Sequence, residues 1–107
     1  MKEQDNKMQE LQMLEQNLQN VMFQKQAFQI ELNETQSALK EIECSGEEVY
    51  KIIGQLMLKT EKPKIKEELL NKEKILNLRI NSLEKQEGSL TDQLKKLRKE
   101  VMNSIKK

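Results

Sequence analysis

The stretch VYKIIGQLMLK, residues 49–59, decides how this chain folds. Around it nearly everything is Glu, Gln, Lys, Asn and Leu, and here three β-branched residues, one Tyr and a central Gly come together. β-Branched and aromatic side chains suit a pleated surface. Gly54-Gln55 suits a two-residue hairpin turn with Gly first, the type II′ preference. The expected strands run from Glu48 to Ile53 and from Leu56 to Thr60, within a hairpin at 48–60. One face then carries Val49, Ile53, Leu56 and Leu58, and the other Tyr50, Ile52 and Met57. A lone two-stranded hairpin is marginal in water, and one that is apolar on both faces, with two free edges, aggregates unless covered. Val49, Tyr50, Ile52, Ile53, Gly54, Leu56, Met57 and Leu58 are therefore expected to form an assembly element. Several copies would join edge to edge and close into barrels, which remove edges. In the alternative, residues 49–59 simply continue one long helix, and Gly54 with its β-branched neighbours counts against that.

The flanks read as helices. Stepping 3, 4, 3, 4 from Leu11 lands on Leu14, Leu18, Val21, Lys25, Phe28, Leu32, Thr35, Leu39 and Ile42. Eight of these ten positions are apolar, a heptad seam sustained over more than four repeats. No Pro or Gly interrupts residues 1–44, and Gly46 offers a left-handed cap just past the end. After the hairpin, Leu69, Leu76, Leu83, Leu90 and Leu97 recur every seven residues. Glu73, Ile80, Glu87, Leu94 and Val101 fall at the companion seam positions. Pro63 suits the first turn of this second helix, expected over 63–106. The whole of 1–107 is expected to form a single, mainly α domain: a long antiparallel two-helix coiled coil with one central β-hairpin.

If the helices fold back on each other, residues whose numbers add to 108 face across the seam. Leu11 meets Leu97, Leu14 meets Leu94, Leu18 meets Leu90 and Leu32 meets Leu76, and the midpoint, residue 54, is the turn glycine. The same rule puts Thr35 beside Glu73 and brings Lys25 within one layer of Glu87. Lys25, Thr35, Glu73 and Glu87 then form polar layers that fix the register, as single polar core residues do in other coiled coils. The competing reading is that Lys and Glu merely snorkel past a loose seam.

Composition narrows the function classes. In 107 residues aromatics make up 3%, hydrophobic residues 36% and charged residues 35%, with no Trp, too little bulk for a thick globular core. The formal charge of +1 draws neither nucleic acid nor an anionic membrane. It is uneven: residues 1–60 carry a net −4 and residues 61–107 a net +5, which suits a chain that folds back on itself. No apolar run approaches the roughly 20 residues of a membrane span, and MKEQDNKMQE lacks the apolar core of a secretory signal. With a single cysteine, Cys44, no internal disulfide can form, and a cytoplasmic protein is expected. His is absent, the glycines are only Gly46, Gly54 and Gly88, and no Cys/His cluster could hold zinc. No enzyme activity, cofactor or metal is expected.

A helix, the hairpin string VYKIIGQLMLK and a matching return helix together resemble the β class of the prefoldin family. QKQAFQIELNETQSALKEIE (24–43) is similar to the family's stretch before the hairpin, and LNLRINSLEKQE (76–87) to its return helix. The resemblance covers about residues 10 to 100, and archaeal members look nearer than eukaryotic ones. It implies a heterohexamer of two α-class and four β-class subunits, with a double β-barrel body and six coiled-coil tentacles. It implies an ATP-independent holdase that binds unfolded polypeptides at the tips and delivers them to a group II chaperonin. The sequence ends at Lys107 without the long tail many members carry, which puts any chaperonin contact through such a tail in question.

Both termini fall at the end far from the hairpin in this arrangement. Met1, Met8, Met13, Met102 and Ile105 lie there off the seam, beside the seam residues Leu11 and Val101. Met is flexible and polarisable and suits surfaces that accept many shapes, so these seven are the expected client contacts. Two other classes remain. A structural coiled-coil scaffold without client binding explains the heptads and leaves the two-faced hairpin as a docking site. A nucleic-acid binder would use KKLRKEVMNSIKK (95–107), but that run has Glu100 inside it and reads as a solvated helix face.

Overall fold

The structure, a computed structural model, describes the backbone of residues 2–46 and 48–105 and the side-chain surroundings over 5–46 and 48–103. The element order is α1 (Lys2–Cys44), β1 (Glu48–Ile53), β2 (Leu56–Glu61) and α2 (Lys62–Ile105). These elements match the expected sequence of helix, hairpin and helix. β2 runs one residue further than the pattern predicts, to Glu61, and α2 follows it directly, with Pro63 as its second residue. Proline is tolerated there because the first helical N–H groups have no partner in the helix.

The end of α1 departs from expectation. Gly46 does not take the left-handed conformation; only Gly54 among the described residues has a positive φ. A serine does the capping instead. The Ser45 backbone N–H and its hydroxyl both donate to the Ile42 carbonyl, at 3.2 and 2.8 Å. The Lys62 ammonium donates to the Ser45 carbonyl at 3.1 Å. Together these satisfy carbonyls that a helix end leaves open.

β1 and β2 pair antiparallel, with Ile53 opposite Leu56 and Ile52 opposite Met57 around the turn. Gly54 has φ 59° and Gln55 is not in the left-handed region, as a type II′ turn requires. A type I′ turn would need positive φ at both residues.

The chain divides into two compact units. The first joins α1 up to Ala27 with α2 from Ile80. Here Ile80, Leu83, Leu94, Leu97 and Val101 are buried, and Leu11, Leu14, Leu18, Val21 and Leu90 are half-buried. Glu15 pairs with Arg98 and Lys25 with Glu87, so rising numbers on α1 meet falling numbers on α2 and the segments are antiparallel. The second unit, Phe28–Arg79, holds the remaining helix segments and the hairpin. Leu32, Ile42 and Leu76 are buried in it, with Phe28, Leu39, Leu69 and Ile65 half-buried. Glu31 pairs with Lys72 and Glu43 with Lys66, again antiparallel. The 3-4 spacing thus selects the covered face in both units. Burial of a Leu or Ile side chain stabilises by about 1.5 to 3 kcal/mol and adds to the helix preference of the Glu, Gln, Lys and Leu around it.

Candidate functional site

The hairpin presents two different surfaces. Residues directly opposite each other share a face, so Glu48, Tyr50 and Ile52 lie with Glu61, Lys59 and Met57. Every one of these six is exposed, Ile52 to 69%. The other face carries Val49, Lys51 and Ile53 with Thr60, Leu58 and Leu56. Its base is half-covered at Val49, Lys51 and Thr60, whereas Ile53, Leu56 and Leu58 near the turn are open. The Lys51 ammonium lies 3.0 Å from the Glu68 carboxylate of α2 and ties this face to the helix. Lys59 and Glu48 pair across the strands at 3.6 Å. The open apolar surface is therefore Tyr50, Ile52 and Met57 on one side and Ile53, Leu56 and Leu58 on the other.

The polar seam residues divide in two. Lys25 Nζ donates to Glu87 Oε2 at 3.1 Å, a half-buried cross-helix contact. Thr35, only 3% exposed, spends its hydroxyl on the Glu31 carbonyl of its own helix at 2.8 Å, so it makes no hydrogen bond to Glu73, which is half-buried. A β-branched hydroxyl bonding back along its helix is a common way to bury Thr.

Among the expected client contacts, Met8, Met13 and Met102 are exposed. Leu11 is half-buried and Val101 is only 6% exposed, so both belong to the seam of the first unit. Met1 and the side chain of Ile105 lie outside the described residues.

Several open apolar residues escape composition and motif reading. Phe23 (67% exposed) and Ile30 each sit two positions before a seam residue, Lys25 and Leu32, and so point away from the partner helix of their own unit. Leu70, Ile75 and Leu78 are likewise exposed on α2. The Arg79 guanidinium stands 5.6 Å from the Phe28 ring centroid, a cation–π distance that covers part of that ring. Counting outward heptad positions finds Phe23 and Ile30; nothing in the spacing singles out Arg79.

A hydrogen bond from Lys66 and the charge of that ammonium hold the Glu43 carboxyl below 4.5, with a smaller contribution from Lys62. Cys44 is exposed. Among the described residues no His/Cys/Asp/Glu group could hold a metal ion, and no helix is long and apolar enough to cross a membrane.

Known proteins share this architecture. A family model described as prefoldin subunit matches residues 5–107. The chain is similar to a prefoldin subunit beta of Thermococcus onnurineus, 43% identical over 94 residues that cover 86% of this chain and 81% of that one. A prefoldin subunit beta of Thermococcus kodakarensis is 40% identical over 99 residues, covering 91% and 85%. The crystal structure of the prefoldin beta subunit from Thermococcus strain KS-1 superposes with a TM-score of 0.87 at 38% identity, covering 95% of this chain and 91% of that one.

Proposed function

The chain belongs to the prefoldin subunit family, and we propose that it works as a β-class subunit of an ATP-independent chaperone that holds unfolded polypeptides. The observation that carries this reading is the hairpin. Ile52, Met57, Ile53, Leu56 and Leu58 are open to water on its two faces, a surface that calls for other subunits to cover it. In this reading the whole of residues 1–107 acts as one prefoldin-like domain. Two α-class and four β-class subunits close their hairpins into barrels in the cytoplasm, and the assembly passes its client to a group II chaperonin.

Client contact falls to Met8, Met13 and Met102, exposed in the unit that contains the two ends of the chain, with Leu11 and Val101 joining where the terminal turns open. An exposed Met that a client covers contributes about 1 to 2 kcal/mol. Each contact is weak, and several subunits engaging one polypeptide multiply the effect through effective concentration. Release then needs no nucleotide, only a competing site.

The test is an aggregation assay on the chain assembled with an α-class partner, with dilute unfolded client and no ATP. Suppression by the intact assembly, and its loss in a still-assembled Met8→Ser, Met13→Ser, Met102→Ser variant, supports the reading. Equal suppression by both moves the client contact elsewhere. Failure of the intact assembly leaves a structural scaffold.

A further inference from the structure

The register of the hairpin fixes which backbone groups it leaves open. Ile53 and Leu56 flank the two-residue turn and exchange hydrogen bonds. The alternation of an antiparallel ladder then makes Lys51 with Leu58 and Val49 with Thr60 the other exchanging pairs. The N–H and C=O groups of Glu48, Tyr50 and Ile52 therefore point away from β2, and those of Met57, Lys59 and Glu61 away from β1. The side chains of these same six residues share one face and are exposed. Neither edge carries a proline to block a further strand. We propose that the β2 edge of one copy pairs antiparallel with the β1 edge of a second copy, offset by two residues, so that Lys59 lies opposite the second copy's Glu48 and Met57 opposite its Tyr50.

The proposal rests on the reading of the hairpin as an assembly element and adds the edge and the register. Joining like edges is unfavourable. Two β2 edges set Lys59 directly opposite Lys59, and like charges so placed destabilise a sheet. Two β1 edges set Glu48 opposite Ile52 and leave both β2 edges open. A β2-to-β1 joint repeats from copy to copy and closes into a ring without a free edge. Within that joint few registers exist. Outward backbone groups must meet outward backbone groups and each apolar face must stay continuous, so slips come in steps of two residues. The level register, a copy of the hairpin's own, sets Glu61 against the second copy's Glu48, next to the Glu48–Glu61 pair that each hairpin already contains. A slip of two one way sets Lys59 against Ile52 and Met57 against the turn glycine, Gly54. A slip of two the other way sets Lys59 against Glu48, Met57 against Tyr50 and, on the opposite face, Leu58 against Val49. That register alone gives an ion pair together with matched apolar groups on both faces. Lys59 already lies 3.6 Å from its own Glu48, diagonally across the strands, so its ammonium then sits between two carboxylates. A closed barrel also needs staggered strands, and the level register supplies no stagger between copies.

The experiment follows self-association of the full chain as mass by sedimentation over a concentration series. Glu48→Lys and Lys59→Glu, each at an exposed position, are each expected to raise the concentration needed for association about tenfold, because each sets like charges together at the joint. Mixed one to one, the two variants are expected to regain the parent's association. Their alternation restores opposite charges at every joint, whereas the pair inside each chain stays broken. Parental association by either variant alone overturns the register. Weak association that mixing does not repair assigns the pair to the inside of the chain and overturns the proposal too. A parent that stays monomeric alone and still assembles with an α-class partner removes the second copy as occupant and leaves the assembly reading intact; a parent that assembles with neither overturns both. A second measurement reads the offset directly. In a Cys44→Ser background, a chain with Leu58→Cys is mixed with one carrying Val49→Cys. The proposed register makes these positions a non-hydrogen-bonded pair with Cα atoms about 4.5 Å apart, and a disulfide-linked dimer is expected. Linkage of Leu58→Cys to Lys51→Cys instead establishes the level register and overturns the offset.

Discussion

Lys25 and Glu87, 62 positions apart in the chain, meet at 3.1 Å on the seam of the first unit, each about 30% exposed. A slip of one helical turn would separate them and leave a half-buried charge on each helix, so we propose that the pair favours one alignment over its neighbours. In that role it resembles the polar core residues that select register in coiled coils, where stability is given up for specificity.

A double-mutant cycle with Lys25→Met and Glu87→Gln measures the pair directly. The expected coupling is about 0.5 to 1 kcal/mol, in the range of partly exposed ion pairs, and it shrinks as salt is added. The double variant is expected to melt no lower than the parent while showing broader or additional NMR signals around Val21 and Leu83. A single sharp set of signals in the double variant would mean that the pair only snorkels.

Two glycines should respond in opposite directions. Gly54 has φ 59° and nothing within 4 Å of where a Cβ would sit, so Gly54→Ala meets no clash with a neighbour and suffers only the backbone strain of the positive-φ turn position, about 1 to 3 kcal/mol. Gly88 lies inside α2 with equally open space, and Gly88→Ala should stabilise by about 1 kcal/mol through helix propensity. Thermal melts of the two variants check both signs. Parallel shifts would refute the assigned turn geometry.

Glu43 is exposed, yet Lys66, 2.8 Å away, holds its carboxyl below the ordinary 4.5. A carboxyl depressed in the folded state contributes stability above its unfolded value, and that contribution fades as pH falls through the folded value. Carbon-detected NMR titration should place the Glu43 midpoint under 4.5, and Lys66→Met should raise it toward 4.5. An unmoved midpoint in Lys66→Met would assign the shift to Lys62.

The two hairpin faces are separable by mutation. Ile52→Ser and Leu56→Ser remove open apolar groups that no neighbour in the chain covers, Ile52 and Leu56 being 69% and 65% exposed. The helices should melt within about 0.5 kcal/mol of the parent, as for other surface changes. Assembly should weaken, read as mass by sedimentation against concentration. A variant that unfolds instead would mean these side chains support the chain itself.

Much of the architecture was legible in one dimension because its physics is periodic. Seven-residue spacing selected the covered faces of α1 and α2, and VYKIIGQLMLK located the hairpin, its two faces and the Gly54 turn. These depend on local steric preference and on which side chains leave water, both carried by the order of residues. Other features needed the folded chain. Ser45 rather than Gly46 ends α1, because the Ile42 carbonyl accepts from a serine that happens to reach it. Thr35 turned its hydroxyl to Glu31, a choice between two partners that spacing leaves open. Glu15 and Arg98 come from opposite ends of the sequence, and only the pairing of α1 with α2 brings them to 3.1 Å. Sequence alone determined which groups prefer water, because that is a property of each side chain. Tertiary structure decided which of them meet, because a hydrogen bond or a groove depends on distances that no single stretch of chain contains.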